Sequence, residues 1–286
     1  MSYPDHIPTP SICETPPILT RARFWTGILA VLMSSLGLWM SIDLNRYPCE
    51  HDFHHQIDSP ALAIELASTR EEVEKVLNPV CATHPDLSGP RAQQGAHSAL
   101  LRDTIADCFF IPLYTLFIWS FGSLFAVDKA KPLLTLRRAL TLATIATATA
   151  DYVENIGIFR SLHLGPSDML AQLTSWPSRF KWTMLAFSLL LTAVILVLSQ
   201  NRMYSLATRR LLAIGYIAIG TLLAVGLWRP AIIGLAMKMF ALIVLLQIVA
   251  LLGPYFTPSF PPDTPTYEDD FCERKNREKI DLAVHE

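Results

Sequence analysis

The chain has 286 residues, of which 51% are hydrophobic and 17% charged, and its formal net charge is −2. The apolar residues fall in long blocks, which excludes an ordinary soluble globular domain and points to a multi-pass membrane protein. Charge is divided between the ends and the loops with no basic arm able to neutralise a run of phosphates, so nucleic acid is excluded as a partner.

Residues 1–22 are rich in proline and polar side chains, lack the charged-then-apolar order of a secretory signal, and read as a disordered N-terminal tail. The hydrophobic block that follows Arg21 and Arg23 then reads as a retained signal anchor. At about 1.5 Å per residue a helix needs about 20 apolar residues to cross the hydrocarbon core. The stretches 24–42, 101–126, 133–159, 182–198, 211–227 and 231–252 approach or meet that length. An all-α polytopic membrane bundle of about six transmembrane helices, the first four forming its core, is therefore expected within 23–253. Only Trp228, Arg229 and Pro230 separate the last two stretches, which predicts a tight helical hairpin, with one re-entrant element as the alternative.

Lys129, Lys131, Arg137 and Arg138 in the second loop and Arg202, Arg209 and Arg210 in the fourth place those loops, with both termini, on the cytoplasmic side. Arg160, Arg179 and Lys181, assigned to the third loop, narrow the contrast. A bacterial cytoplasmic membrane is the expected location, and residues 43–100 become an extracytoplasmic loop. Within it, Ser59 and Pro60 read as an N-cap and first-turn proline opening a short helix that runs to Leu66. The run from Ser68 to Glu71 reads as a capping box before Val73, Val76 and Leu77. Two short amphipathic helices cannot bury a core alone, so they are expected to lie on the membrane surface or cap the outer mouth of the bundle.

The same loop carries Cys49, His51, His54, His55, Cys81 and His84. In an oxidising compartment Cys49 and Cys81 are expected to form a disulfide that closes the loop. A zinc or copper site using some of the four histidines competes for the same sulfurs, and a plain solvated loop is the third reading, since no established metal-ligand spacing is present. No other cofactor is expected.

Four acidic residues lie inside apolar stretches, where an ionised carboxylate needs a partner, water or a task. Asp103 and Asp107 share one face near the outer end of the second span, and Asp151, Glu154 and Asn155 lie near the outer end of the antiparallel third. If the two helices are neighbours, these groups form one polar cluster. Ala139, Ala143 and Thr147, with Ala146 and Ala150, make a stripe of small residues leading to it, which predicts close helix contact on that face. Candidate counter-charges are Lys181 at the start of the fourth span, Lys238 about two turns into the sixth, and Arg102 and Arg160 at helix ends. Such a cluster serves as helix-joining ion pairs, as a ligand, ion or proton site, or as an acid–base pair.

The run from Asp107 to Tyr114, followed one helix later by the run from Ala150 to Asn155, resembles a pattern in uncharacterised bacterial multi-pass membrane proteins with an acidic second helix and a D-x-x-E-N third helix. The resemblance covers about residues 24–200 and implies a shared four-helix scaffold with matched positions at Asp107, Asp151, Glu154 and Asn155. It implies no activity.

Phosphate-binding, nucleophile-elbow, dinucleotide, prenylation and haem-attachment motifs are absent, so a soluble-type enzyme is not expected. Residues 254–286 form a Pro-rich, mixed-charge tail, a solvated segment or a docking site for a protein partner. The chain thus reads as a scaffold or binding component of the bilayer with a polar outer-leaflet pocket. The alternatives are a small-molecule or ion/proton-coupled transporter and a membrane-embedded enzyme acting on a lipid-like substrate. Oligomeric state is not encoded in any motif.

Overall fold

The computed structural model describes residues 17–44, 57, 59–78, 90–126, 131–199 and 204–256, and among these the fold is all-helical. In chain order the helices are α1 (Pro17–Leu44), α2 (Pro60–Leu66), α3 (Arg70–Leu77), α4 (Pro90–Phe125), α5 (Lys131–Leu164), α6 (Asp168–Leu198), α7 (Leu206–Gly226) and α8 (Ala231–Phe256). Five of them, α1, α4, α6, α7 and α8, are long and apolar enough to cross a membrane. Helix α5 is not among the five, because Asp151, Glu154 and the arginines at its ends lower its average. An average mixes two faces, however, and the face that meets the surroundings decides insertion. That face of α5 carries Leu134, Leu142, Ile145 and Ile156, while Asp151 and Glu154 point inward and are at most 2% exposed.

The six long helices form a closed ring in which each packs on its successor and α8 returns to α1. Contacts fix the directions as alternating. Thr26 of α1 bonds Ser120 of α4, Trp119 Nε1 of α4 donates to Thr141 Oγ1 of α5 at 3.0 Å, and Arg23 near the start of α1 donates to the Ala250 and Leu251 carbonyls near the end of α8. The half of the ring near the start of α5 is filled by Phe117, Phe121, Phe125 and Tyr216, each wholly buried. Their rings follow one another at 5.2–6.0 Å between centroids.

Helices α2 and α3 cover the opposite end, packing on α4, α5 and α6. Ile64, Val73 and Val76 are buried there, so these helices obtain from the ring the core they cannot make themselves. Ser59 caps α2 as expected. The capping box of α3 lies one residue later than the sequence reading placed it, on Thr69 and Glu72 rather than Ser68 and Glu71. Both registers fit the motif, and the one that turns Val73, Val76 and Leu77 inward wins. Glu72 then accepts from the backbone N–H groups of Ser68 and Thr69 and from the Ser68 hydroxyl, while Glu71 is left to an exposed pair with Lys75. Glu72→Ala is accordingly expected to destabilise α3 by about 1–2 kcal/mol and Glu71→Ala by no more than about 0.5 kcal/mol. Hydrogen exchange over residues 70–77 measures the difference, and equal effects would return the box to Ser68.

Several helices outrun their predicted spans because polar turns continue them. Helix α1 starts at Pro17, inside the stretch read as a disordered tail, and is held by the Arg23 bonds to α8. Helix α4 begins at Pro90, and His97 on this extension meets the Leu162 carbonyl of α5 at 2.9 Å. Helix α6 begins at Asp168 with Ser167 as N-cap, after a turn in which Gly165 adopts φ +87. The third connection is therefore only residues 165–167, and Arg160, Arg179 and Lys181 are helical rather than loop residues. Helix α8 passes residue 254 and ends at Phe256, where Tyr255 donates to the Thr20 carbonyl.

Candidate functional site

The small-residue stripe of α5 does what its spacing predicts. Ala143, Thr147 and Ala150 are buried, and Gly157 extends the contact, since a Cβ there would lie 3.2 Å from the Thr174 backbone nitrogen of α6. This close approach brings Asp151 and Glu154 within reach of Lys181. The Lys181 ammonium donates to Glu154 Oε1 at 2.8 Å, to Asp151 Oδ1 at 2.9 Å and to Glu65 Oε2 at 3.1 Å. Three helices, α2, α5 and α6, thus meet on one nitrogen. The lysine is 5% exposed, and its ammonium stands 4.8 Å from the Trp182 ring centroid.

The network continues on α4. Tyr114 donates its hydroxyl proton to Asp151 Oδ2 at 2.6 Å, and Asn155 donates to Asp107 Oδ2 at 2.8 Å. Asp103 is buried on the same wall, one turn from Asp107. Cys108 is half-buried, with its sulfur 3.7 Å from the Asn155 amide and its carbonyl accepting the Tyr152 hydroxyl. Asp103, Asp107, Tyr114, Asp151, Asn155 and Lys181 line one side of a cavity of about 230 Å³. Its other walls are apolar, with Phe110, Ile158, Leu185 and Phe240, and Ala61, Ile64 and Glu65 of α2 form its roof.

The predicted cluster is thereby brought together in Asp103, Asp107, Asp151, Glu154, Asn155 and Lys181. Lys181 lies well inside α6 rather than at its start, because the polar turns from Asp168 onward are helical. Lys238 is not brought to the cluster. On α8 it is Met237 and Phe240 that face the cavity, and helical spacing turns Lys238 to the exposed side. Arg102 and Arg160 are exposed as well. Cys49, Cys81, His51, His54, His55 and His84 lie outside the described residues, as does the tail from 257 onward. Among the described residues no group of three or more His, Cys, Asp or Glu is placed to hold a metal ion.

Sequence reasoning missed Glu65, Tyr114 and Trp182. Glu65 had a signal: it is the lone charge in an apolar seven-residue helix, and with its neighbours buried its carboxylate must go somewhere specific. Burial raises the Glu65 carboxyl above the ordinary carboxylate range, with Lys181 pulling the other way. The folded state therefore keeps this proton at pH values where the unfolded chain has released it. The resulting stabilisation is present at low pH and is lost as pH rises through the raised value. Glu65→Gln, which cannot ionise, is expected to melt progressively higher relative to the unaltered protein as pH rises through that window. A difference independent of pH would contradict the assignment.

No protein-family model matches the chain, and neither a curated protein nor a solved structure does.

Proposed function

We propose that this integral membrane protein is a binding component that holds a small, partly apolar molecule in the cavity beneath α2. The observation that carries the reading is the join of two unlike walls around one space: a hydrogen-bonded polar side centred on Lys181 and Asp107, and an aliphatic and aromatic side from α4, α5, α6 and α8. Cavities of this kind, mostly apolar with a few convergent polar groups, are the usual form of small-molecule sites. A purely structural cluster would need the ion pairs but not the space.

Transport fits less well. Beyond the cavity the ring interior is plugged by Phe117, Phe121, Phe125 and Tyr216, even though two helices of the ring, α4 and α6, carry an internal proline at Pro112 and Pro177. An enzymatic reading finds no support in Asp151, whose two oxygens are both engaged, by Lys181 and by Tyr114.

We place α2 and α3 on the extracytoplasmic side, in the outer leaflet of a bacterial cytoplasmic membrane with both termini inside. Arg21, Arg23, Lys131, Arg137, Arg138, Arg209 and Arg210 at the other end of the ring support that orientation. Impermeant thiol labelling of intact cells at a cysteine replacing Glu71 is the test, and labelling instead at a cysteine replacing Thr135 reverses it.

The binding role is tested by mass spectrometry of the protein purified gently from its native membrane. A small molecule is expected to be retained, and to be lost in Leu185→Trp, which fills the cavity, and in Asp107→Asn, with folded yield unchanged. Loss of folded yield without any retained molecule would favour a scaffold.

A further inference from the structure

We propose that the molecule held in the cavity is a single-chain lipid with an uncharged, hydroxyl-bearing head, which enters sideways from the outer leaflet between α1 and α8. This rests on the binding role above and adds to it a ligand class and a route. Helix α1 is fastened to α8 at one end only. Near its start Arg23 donates to the Ala250 and Leu251 carbonyls, the Thr20 carbonyl accepts from Tyr255, and Phe24 stands edge-on to the Tyr255 ring. Among the described residues these are the hydrogen bonds and ring contacts that join the two helices, and all lie at the inner end. Further along, the packing of α1 loosens: Ala30 and Met33 are buried, but from Ser34 to Ile42 no residue is.

The two helices run antiparallel. Counted from Gly27, which lies against Leu251, Ser41 of α1 comes level with Met237 of α8. Gly37, Met40 and Ser41 line the cavity from one side and Met237 and Phe240 from the other, so space rather than helix contact separates them there. Gly37, Met40, Ser41 and Met237 are partly or fully exposed, whereas the lining residues of α5 and α6 are all buried. On its other flank α1 is closed against α4, where a Cβ at Gly37 would lie 3.4 Å from the Phe110 ring. Helix α2, with Ala63 and Ile64 at most 2% exposed, covers the top. The mouth of the cavity therefore opens toward hydrocarbon, beside the last turn of an α1 span that runs from Thr20 to Ile42.

A mouth in that position selects its ligand by solubility. A molecule dissolved in the leaflet reaches it within the apolar layer, whereas a water-soluble one would first have to leave water for hydrocarbon. The volume of about 230 Å³ is below the range of about 300–1,000 Å³ in which sites enclose a whole drug-sized molecule. The cavity thus takes one end of its ligand, and a single chain extends between α1 and α8 into the bilayer. The polar wall decides the head. Among the described residues lining the cavity Lys181 is the only cation, and its three protons go to Glu65, Asp151 and Glu154. A phosphate or carboxylate head would meet carboxylates there and no spare cationic donor. A hydroxyl brings no charge into the apolar space and can donate to the Asp107 oxygen that Asn155 does not engage.

The test uses the full chain in phosphatidylcholine nanodiscs with Leu185→Cys on the cavity wall, and follows alkylation of position 185 by peptide mass analysis. N-dodecylmaleimide, which dissolves in the bilayer, is expected to modify that position, and a sulfonated maleimide confined to water is not. Met237→Trp at the mouth should slow the dodecyl reagent about tenfold or more, while Leu245→Trp, on the exposed face of the same helix, should not. Added 1-monododecanoylglycerol should protect position 185, and dodecyl phosphate should not. Size-exclusion profiles confirm folding, and Ile158→Cys, also on the wall, replaces Leu185→Cys if that variant unfolds. Equal modification by the sulfonated reagent would mean entry from water beneath α2 and overturns the lateral route. Modification by neither reagent would mean a closed mouth and overturns it too. Equal protection by dodecyl phosphate overturns the uncharged head. In each of these cases a molecule retained from the native membrane leaves the binding role standing; if none is retained and the glyceride does not protect, the binding role itself fails.

Discussion

Lys181→Met is expected to be the most damaging single substitution in the chain. Methionine keeps the length and removes the charge, which leaves Glu65, Asp151 and Glu154 converging on a site with no cation. Removing one partner of a buried ion pair costs about 3–5 kcal/mol, because the remaining charges are stranded away from water. Against a typical net stability of about 5–15 kcal/mol, this should appear as a large fall in folded yield and in the thermal midpoint in detergent. The strain falls on carboxylates, so removing them should repair it. Lys181→Met combined with Asp151→Asn and Glu154→Gln is expected to recover most of the loss. A single variant that melts like the unaltered protein would mean that the ammonium does not tie α2, α5 and α6 together.

The second large effect is expected at Gly157→Leu. A Cβ at this position already collides with Thr174 Oγ1 and comes within 3.3 Å of the Leu173 carbonyl carbon, so a leucine forces α5 away from α6. Overpacking of this kind costs about 1–3 kcal/mol by itself. Here it should cost more, because Gly157 lies one turn from Glu154 and the separation also stretches the bonds to Lys181. The two substitutions should therefore be non-additive: in a double-mutant cycle Gly157→Leu loses much of its effect in the Lys181→Met background. Gly234→Leu is the control. A Cβ there meets nothing within 4 Å, and the thermal midpoint should move little.

How much of this was readable in advance differs from residue to residue. Asp151 and Glu154 stand out in sequence because charge is rare inside apolar stretches, and the four-residue spacing of Ala139, Ala143 and Thr147 marks the face that must approach another helix. Lys181 was also visible, but its depth was not, since a span judged by apolar content stops at Trp182 while the hydrogen-bonded helix continues back to Asp168. Lys238 attracted attention for the same reason as Lys181, an isolated charge in an apolar run, and the helical phase of α8 decides that only its neighbours face inward. The register of the α3 capping box could not be chosen locally, because Ser68 with Glu71 and Thr69 with Glu72 satisfy the same motif.

From the chain alone came the medium it inhabits, the all-helical architecture and the identity of most of the buried charges. These follow from composition and from periodicities within one helix, where neighbours in sequence are neighbours in space. Tertiary structure alone decided that Glu65 of a short covering helix completes the lysine's coordination and that Tyr114 occupies the second oxygen of Asp151. It also decided that a cavity lies beside them. Glu65 and Lys181 are 116 positions apart, and no local pattern encodes a contact made only when α2 folds back over the ring.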